Sequence, residues 1–351
     1  MIREKIIENV GIIYLDRPEI INSLNMEMVK DIENILKKWE DDKKIKAILF
    51  DSLCQKGFCA GGDLKAIYYD YLLNDKCQNK DEFYEEEFVL DRYVKDYKKP
   101  IISHYFGIVM GGGIGLTINS DFIIADESVN WAMPETRLGF VPDVGVCKHI
   151  SKLPQALGQY LGLCGESLSS SDLIKYDLAD IYVKSENYDK VLNILFSLSK
   201  KYDGEKLIEE LKKQTQKYKV LDTNSKISKN KEKLEKYFSH SSIEEIIKSL
   251  EENKDDDFAK KTLENLKERN LFMLFLQFEK YFICKNLTKD QVFDLDLKIL
   301  KYARKTGTMK EGIRSLIIDK ESANWKEKSL DQISVEKIKD LLGIEKLYKE
   351  R

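Results

Sequence analysis

The chain has 351 residues, enough for a large buried core and for two domains. Hydrophobic residues at 42% and charged residues at 34% describe a folded globular protein, and 58 basic against 61 acidic residues exclude a polycationic nucleic-acid binder. No apolar run approaches the ~18 residues of a membrane span, and no targeting presequence is legible before the first strand.

Gly11 to Leu15 reads as a strand, closed by Arg17-Pro18. A helix is predicted from about Met26 to Glu40, because Met28, Ile32, Ile35, Leu36 and Trp39 keep helical spacing and Asn25 suits an N-cap. Residues 46–50 form a second strand, feeding the glycine cluster Phe58-Cys59-Ala60-Gly61-Gly62-Asp63. Residues 101–106 form a third, feeding Met110-Gly111-Gly112-Gly113-Ile114-Gly115, and residues 122–125 and 129–133 are further short strands. Strands alternating with helices imply an α/β core with ligand loops at strand ends. Near residue 185 the composition turns to Lys/Glu-rich helical segments such as 205–216, then a stripe of Ile243, Ile246, Ile247 and Leu250. A polar turn at 253–257 and an apolar segment from Leu271 to Ile283 follow. The division predicted is a catalytic core over 1–190 and a helical C-terminal region over 191–351, without internal repeats.

The second glycine cluster contains neither G-x-G-x-x-G nor a P-loop lysine, so it is no nucleotide fingerprint. Glycines between a strand and a helix expose N–H groups where the helix dipole favours negative charge; the alternative is close packing of helix on strand. With the first cluster also following a strand, each loop can offer one N–H to the same carbonyl oxygen. Downstream, Met133 to Gly145 sets Glu135 and Asp143 eight residues apart among apolar residues, each directly after a proline. A carboxylate framed by apolar groups loses hydration and needs a partner or a task. Glu135 is then either functional or the ion-pair partner of Arg137 or another cation. Asp143 is functional, the N-cap of a helix running to about Leu153, or both. Two donor loops and two carboxylates point to acyl-thioester chemistry.

Other groups carry less. His104, His149 and His240 lack triad or metal spacing and read as structural or exposed. Cys59, in the first glycine loop, reads as packing and not as a nucleophile. The six cysteines form no C-x-x-C pair, which predicts reduced thiols, an intracellular compartment and no metal site.

Asp16-Arg17-Pro18 with Asn22-Ser23-Leu24, then residues 57–63, 111–115 and 133–145, resemble the enoyl-CoA hydratase/isomerase (crotonase) superfamily. Residues 238–250 and Glu311 to Lys320 through Trp325 resemble its branch that hydrolyses 3-hydroxyisobutyryl-CoA. The resemblance implies a crotonase-like spiral of ββα units, with C-terminal helices that close the active site or build a homo-oligomer. It implies an acyl-CoA substrate with CoA as part of that substrate, no separate cofactor, no metal, and neither nucleic acid nor membrane as partner. By the same resemblance Gly62 and Gly112 donate backbone N–H groups to the thioester oxygen. Glu135 attacks the thioester carbon or acts as general base for water, and Asp143 binds the 3-hydroxyl. Glu87 contacts substrate, unless it is a charge on a solvated helix face. Ala60, Asp63, Leu64, Ser23 and Leu24 hold the CoA moiety.

A hydratase resembling this superfamily carries a glutamate where this chain has Gly115, which cannot activate water. That disfavours an enoyl-CoA hydratase or isomerase; a catalytically silent acyl-CoA-binding protein is the other alternative. Arg137 stands where the branch usually has a small or apolar residue, and 145–149 depart from its glycine and aromatic pattern. Relatives in eukaryotes act in mitochondrial valine breakdown, which sets mitochondrial against cytoplasmic as the expected compartment.

Overall fold

Val10–Leu15, the second of nine strands among the described residues, shows why this sheet forms. Its residues VGIIYL make a near-continuous apolar run, as a parallel strand covered on both faces requires. The computed structural model describes residues 1–222 and 225–350. The strands are β1 (Ile2–Ile7), β2 (Val10–Leu15), β3 (Ala47–Ser52), β4 (Gly57–Cys59), β5 (Ile101–Tyr105), β6 (Ile108–Met110), β7 (Phe122–Ala125), β8 (Asn130–Ala132) and β9 (Ile181–Tyr182). One sheet runs β1-β2-β3-β5-β7-β9, with β1 antiparallel to β2 and the other pairs parallel. A smaller sheet runs β4-β6-β8.

The chain divides into two compact units, each woven from three segments. The first comprises Met1–Asp63, Phe83–Trp131 and Leu168–Lys229; the second comprises Leu64–Glu82, Ala132–Ser167 and Asn230–Arg351. The boundary expected near residue 190 falls inside the third segment of the first unit.

In the first unit, Val10, Ile12, Ala47, Leu49, Ile102 and Ile124 pack with Val191, Leu195, Leu207 and Leu211 from helices Tyr188–Ser199 and Gly204–Thr215. On the other face of β2, Trp39 of helix Met26–Glu40 lies so close that a Cβ at Gly11 would stand 2.6 Å from the indole. Asn25 caps that helix by accepting the Met28 N–H. His104 is buried, with Nδ1 3.0 Å from Asp51 and its ring stacked on Tyr188, so it is structural.

The second unit is built around helix Leu271–Cys284, in which every residue but Leu271 is buried. Helix Gln155–Cys164 meets it at Gly158 and Gly162, where added Cβ atoms would strike Tyr281 and Gln277. The helix predicted to run to about Leu153 is a short turn, Cys147–Ile150. No helix among the described residues is long and apolar enough to cross a membrane.

Candidate active site

The first unit carries a pair of unengaged backbone donors. Strands β4 and β6 are parallel, pairing Gly57 with Ile108 and Cys59 with Val109, so the loops that leave them emerge at the same sheet edge. Gly61, with φ of 96°, turns the first loop; a Cβ there would lie 3.4 Å from the Met110 carbonyl and 3.6 Å from the Gly112 nitrogen. Gly111, with φ of 50°, turns the second, and Gly112 opens the helical turn Gly112–Gly115. Across the loops, a Cβ at Gly113 would stand 2.5 Å from that of Cys59. Among the described residues neither the Gly62 nor the Gly112 amide donates a hydrogen bond. Two free N–H groups on adjoining loops form the donor set an oxyanion needs.

Their surroundings hold the first loop rigidly. The Leu24 N–H donates to Gly61 at 2.8 Å, the Asp63 N–H to Leu24 at 2.7 Å, and the Ala60 N–H to Ile21 at 2.9 Å. Arg17 ties the two segments, pairing with Asp63 at 2.8 Å and donating to the Ser23 carbonyl at 3.1 Å. Ser23, Leu24, Ala60 and Asp63 therefore share one ladder beside Gly62, whereas Leu64 opens the turn Leu64–Ala66 of the second unit. Glu87 is 3% exposed, which overturns its alternative as a solvated charge. Its Oε1 would be 2.1 Å from a Cβ at Gly112, so it presses on the donor loop itself. Cys59 is buried, with its thiol pushed up to about 12 by that burial, as befits packing and not nucleophilic attack.

The second unit brings the two carboxylates together. Glu135 opens the 3-10 turn Glu135–Leu138 behind Pro134, and Gly139 closes the turn at φ 76°. The carboxylate is 4% exposed, its Oε2 accepts no hydrogen bond among the described residues, and no ion pair joins it to Arg137. Burial drives its pKa well above the carboxylate range, and the nearby Asp143 charge adds to the rise; Lys280 opposes it. Asp143, 5% exposed, is itself pushed up to about 8, by burial first and by the charge of Asp296 second, against Lys280. The N-cap alternative for Asp143 does not hold: the turn Cys147–Ile150 begins after Val146 and has no side-chain cap. Val144 at φ 47° and Gly145 at φ 74° explain why. Two successive left-handed residues prevent a helix from starting at Asp143, and such a conformation at a β-branched valine costs on the order of 1–3 kcal/mol. The Gly145 N–H is held by Asp296 at 2.9 Å, which steadies the strained turn.

Lys280 and Asp296 are the residues that sequence reasoning missed. Both are fully buried, they pair with each other, and Lys280 also donates to the Pro142 carbonyl. The signal was present: Gln277, Glu279 and Lys280 interrupt the apolar run of Leu271–Cys284. A buried lysine needs a buried acid. Among the described residues no group of three or more His, Cys, Asp or Glu side chains is arranged to hold a metal ion.

The enoyl-CoA hydratase/isomerase family profile matches residues 10–342, and the chain belongs to that family. It is 31% identical over 326 residues to the mitochondrial 3-hydroxyisobutyryl-CoA hydrolase of Xenopus laevis, covering 92% of this chain and 84% of that one. The human mitochondrial 3-hydroxyisobutyryl-CoA hydrolase is 30% identical over 328 residues, covering 93% and 84%. In fold the chain is similar to a carnitinyl-CoA dehydratase from Mycobacterium thermoresistibile, with a TM-score of 0.86, 24% identity and coverage of 97% and 96%. The fold is crotonase-like α/β, with a helical C-terminal region.

Proposed function

We propose that this chain hydrolyses 3-hydroxyisobutyryl-CoA, or a closely related short 3-hydroxyacyl-CoA, to the free acid and CoA. The reading is carried by a buried carboxylate with one oxygen left without a hydrogen-bond partner among the described residues, Glu135, beside a second raised carboxyl, Asp143. It is supported by the free amides of Gly62 and Gly112 and by relatives named for this hydrolysis. In this reading the two amides hold the thioester oxygen as negative charge develops on it. Glu135 either attacks the carbonyl carbon, expelling CoA thiolate and leaving an anhydride for water to cleave, or takes a proton from an attacking water. Asp143 hydrogen-bonds the 3-hydroxyl. Glu87 contacts the substrate from the donor-loop side, while Ser23, Leu24, Ala60, Asp63 and Leu64 hold CoA through backbone atoms. Relatives with this printed activity are named as mitochondrial, and we extend that compartment to this chain as part of the proposal.

The test is a panel of short acyl- and enoyl-CoA esters, with thiol release and enoyl absorbance followed in parallel. Thiol release fastest with 3-hydroxyisobutyryl-CoA supports the reading. Change in enoyl absorbance without thiol release would make the chain a hydratase or isomerase instead.

Two consequences follow from the geometry. Gly112→Ala puts a Cβ 2.1 Å from the Glu87 Oε1 and 3.4 Å from Leu24, so the buried Glu87 carboxyl and the donor loop it presses on must give way. Loss of one oxyanion donor costs roughly 2.7–4 kcal/mol; kcat is expected to fall about 10²–10³-fold while the folded state, read by circular dichroism, persists. Glu135 must be ionised to act, and its raised pKa means that the ionised fraction grows with pH. The acid limb of kcat/KM is therefore expected above the ordinary carboxylate range. In Asp143→Asn the neighbouring charge is gone, and the limb moves to lower pH even as the maximum falls. An unmoved limb would mean that the two carboxyls do not interact.

A further inference from the structure

Within the second unit, a cavity of about 630 Å³ is lined by Arg137, Lys267, Glu268, Arg269, Lys320 and Trp325, among others. Its size is that of a small-molecule site. Four cations face it, of which Lys267 pairs with Glu251 at 4.0 Å. The Arg269 side chain is 3% exposed, its Nε–H donates to no acceptor among the described residues, and its one ion pair is a loose 3.7 Å approach to Glu268, a side chain 77% exposed. Arg137 also has an unpartnered Nε, and no carboxylate lies within 4 Å of Arg137 or Lys320 among the described residues. Glu321, the other acid in the lining, is already taken by Arg314, which also holds Glu311 and Asp319.

The two guanidiniums are neighbours: burial, and then the charge of Arg137, pull Arg269 below its ordinary value. Holding two like charges side by side, one of them desolvated, is unfavourable unless an anion joins them. Planar forked donors suit phosphate and carboxylate oxygens in bidentate fashion. The walls are fixed by structure: Arg137 rides on the turn that Glu135 opens, and the Trp325 indole N–H donates to the Glu268 carbonyl at 2.9 Å.

We propose that this cavity binds a phosphate-bearing anion, gripped between Arg137 and Arg269 and supported by Lys267 and Lys320. The proposal does not depend on the thioester chemistry, so either reading can fail alone. The ligand's phosphates come either from a free phosphate compound or from the nucleotide end of CoA.

Isothermal titration calorimetry of the whole chain with pyrophosphate, at ionic strength held constant with chloride, tests it. Saturable binding is expected, weakened at least tenfold in both Arg137→Gln and Arg269→Gln. Arg137, the more exposed of the two, keeps the test informative should Arg269→Gln fold poorly. Adenosine 3′,5′-bisphosphate that displaces pyrophosphate, with the same arginine dependence, assigns the site to the CoA nucleotide; failure to displace assigns it to a free phosphate compound. No saturable binding, or binding unchanged in a folded Arg137→Gln variant, overturns the proposal.

Discussion

Glu135→Gln is expected to abolish thioester hydrolysis while leaving CoA-ester affinity within a few-fold of the parent. The amide keeps the size of the carboxylate but can neither attack carbon nor accept a proton from water. If Glu135 is the general base, kcat should fall about 10²–10⁴-fold; if it is the nucleophile, the loss should approach ~10⁶-fold, as for other enzymes stripped of a covalent group. The same variant should gain stability. A carboxyl whose folded pKa exceeds its unfolded one contributes stability that is fully present below the unfolded value, near 4, and lost as pH rises through the folded value. Glu135 is raised in that sense, and Asp143 is raised to about 8. Replacing Glu135 by its amide removes a cost that wild type bears at pH 8 and not at pH 4. A gain in stability, read as a raised Tm at pH 8, is expected, shrinking toward zero in acid. Equal loss of activity, binding and stability would instead make Glu135 a structural residue.

Lys280→Met is expected to be among the most damaging single changes. Its ammonium and the Asp296 carboxylate are both 0% exposed, so removing the lysine strands a buried negative charge. Breaking such a pair costs roughly 3–5 kcal/mol, against which the double change Lys280→Met, Asp296→Leu should recover much of the loss. Chemical denaturation with a double-mutant cycle measures both. The effect reaches the candidate site as well, since Lys280 is the cation that opposes the rise of both Glu135 and Asp143. Asp296 also fixes the Gly145 N–H, so the restored double variant should be stable yet poorly active. Full activity in that variant would show that the strained turn at Val144-Gly145 needs no such anchor.

What the sequence displays and what it hides divide along local and non-local causes. The helix from Met26 to Glu40 and its Asn25 cap were legible because periodicity and capping are written within a dozen residues. The two glycine loops were legible for the same reason. The burial of Glu87 was not, since Glu85-Glu86-Glu87 reads as a solvated run until the helix packs that one position against Gly112. The capping role expected of Asp143 failed because the chain at Gly145 follows Asp296, 151 positions away, and not its own local preference. Lys280 was hidden inside an apolar helix, where a single cation looks like an interruption until its acid arrives from helix Lys289–Thr306. The interleaving of the two units is likewise invisible to composition, which follows the chain in order while the units exchange segments.

The most direct measurement is steady-state turnover of pure 3-hydroxyisobutyryl-CoA by the intact chain, with released CoA thiol and free acid both quantified. Equal amounts of thiol and acid, absent in Glu135→Gln under saturating substrate, are the expected result. No thiol above the uncatalysed background, or undiminished release by Glu135→Gln, would contradict the account.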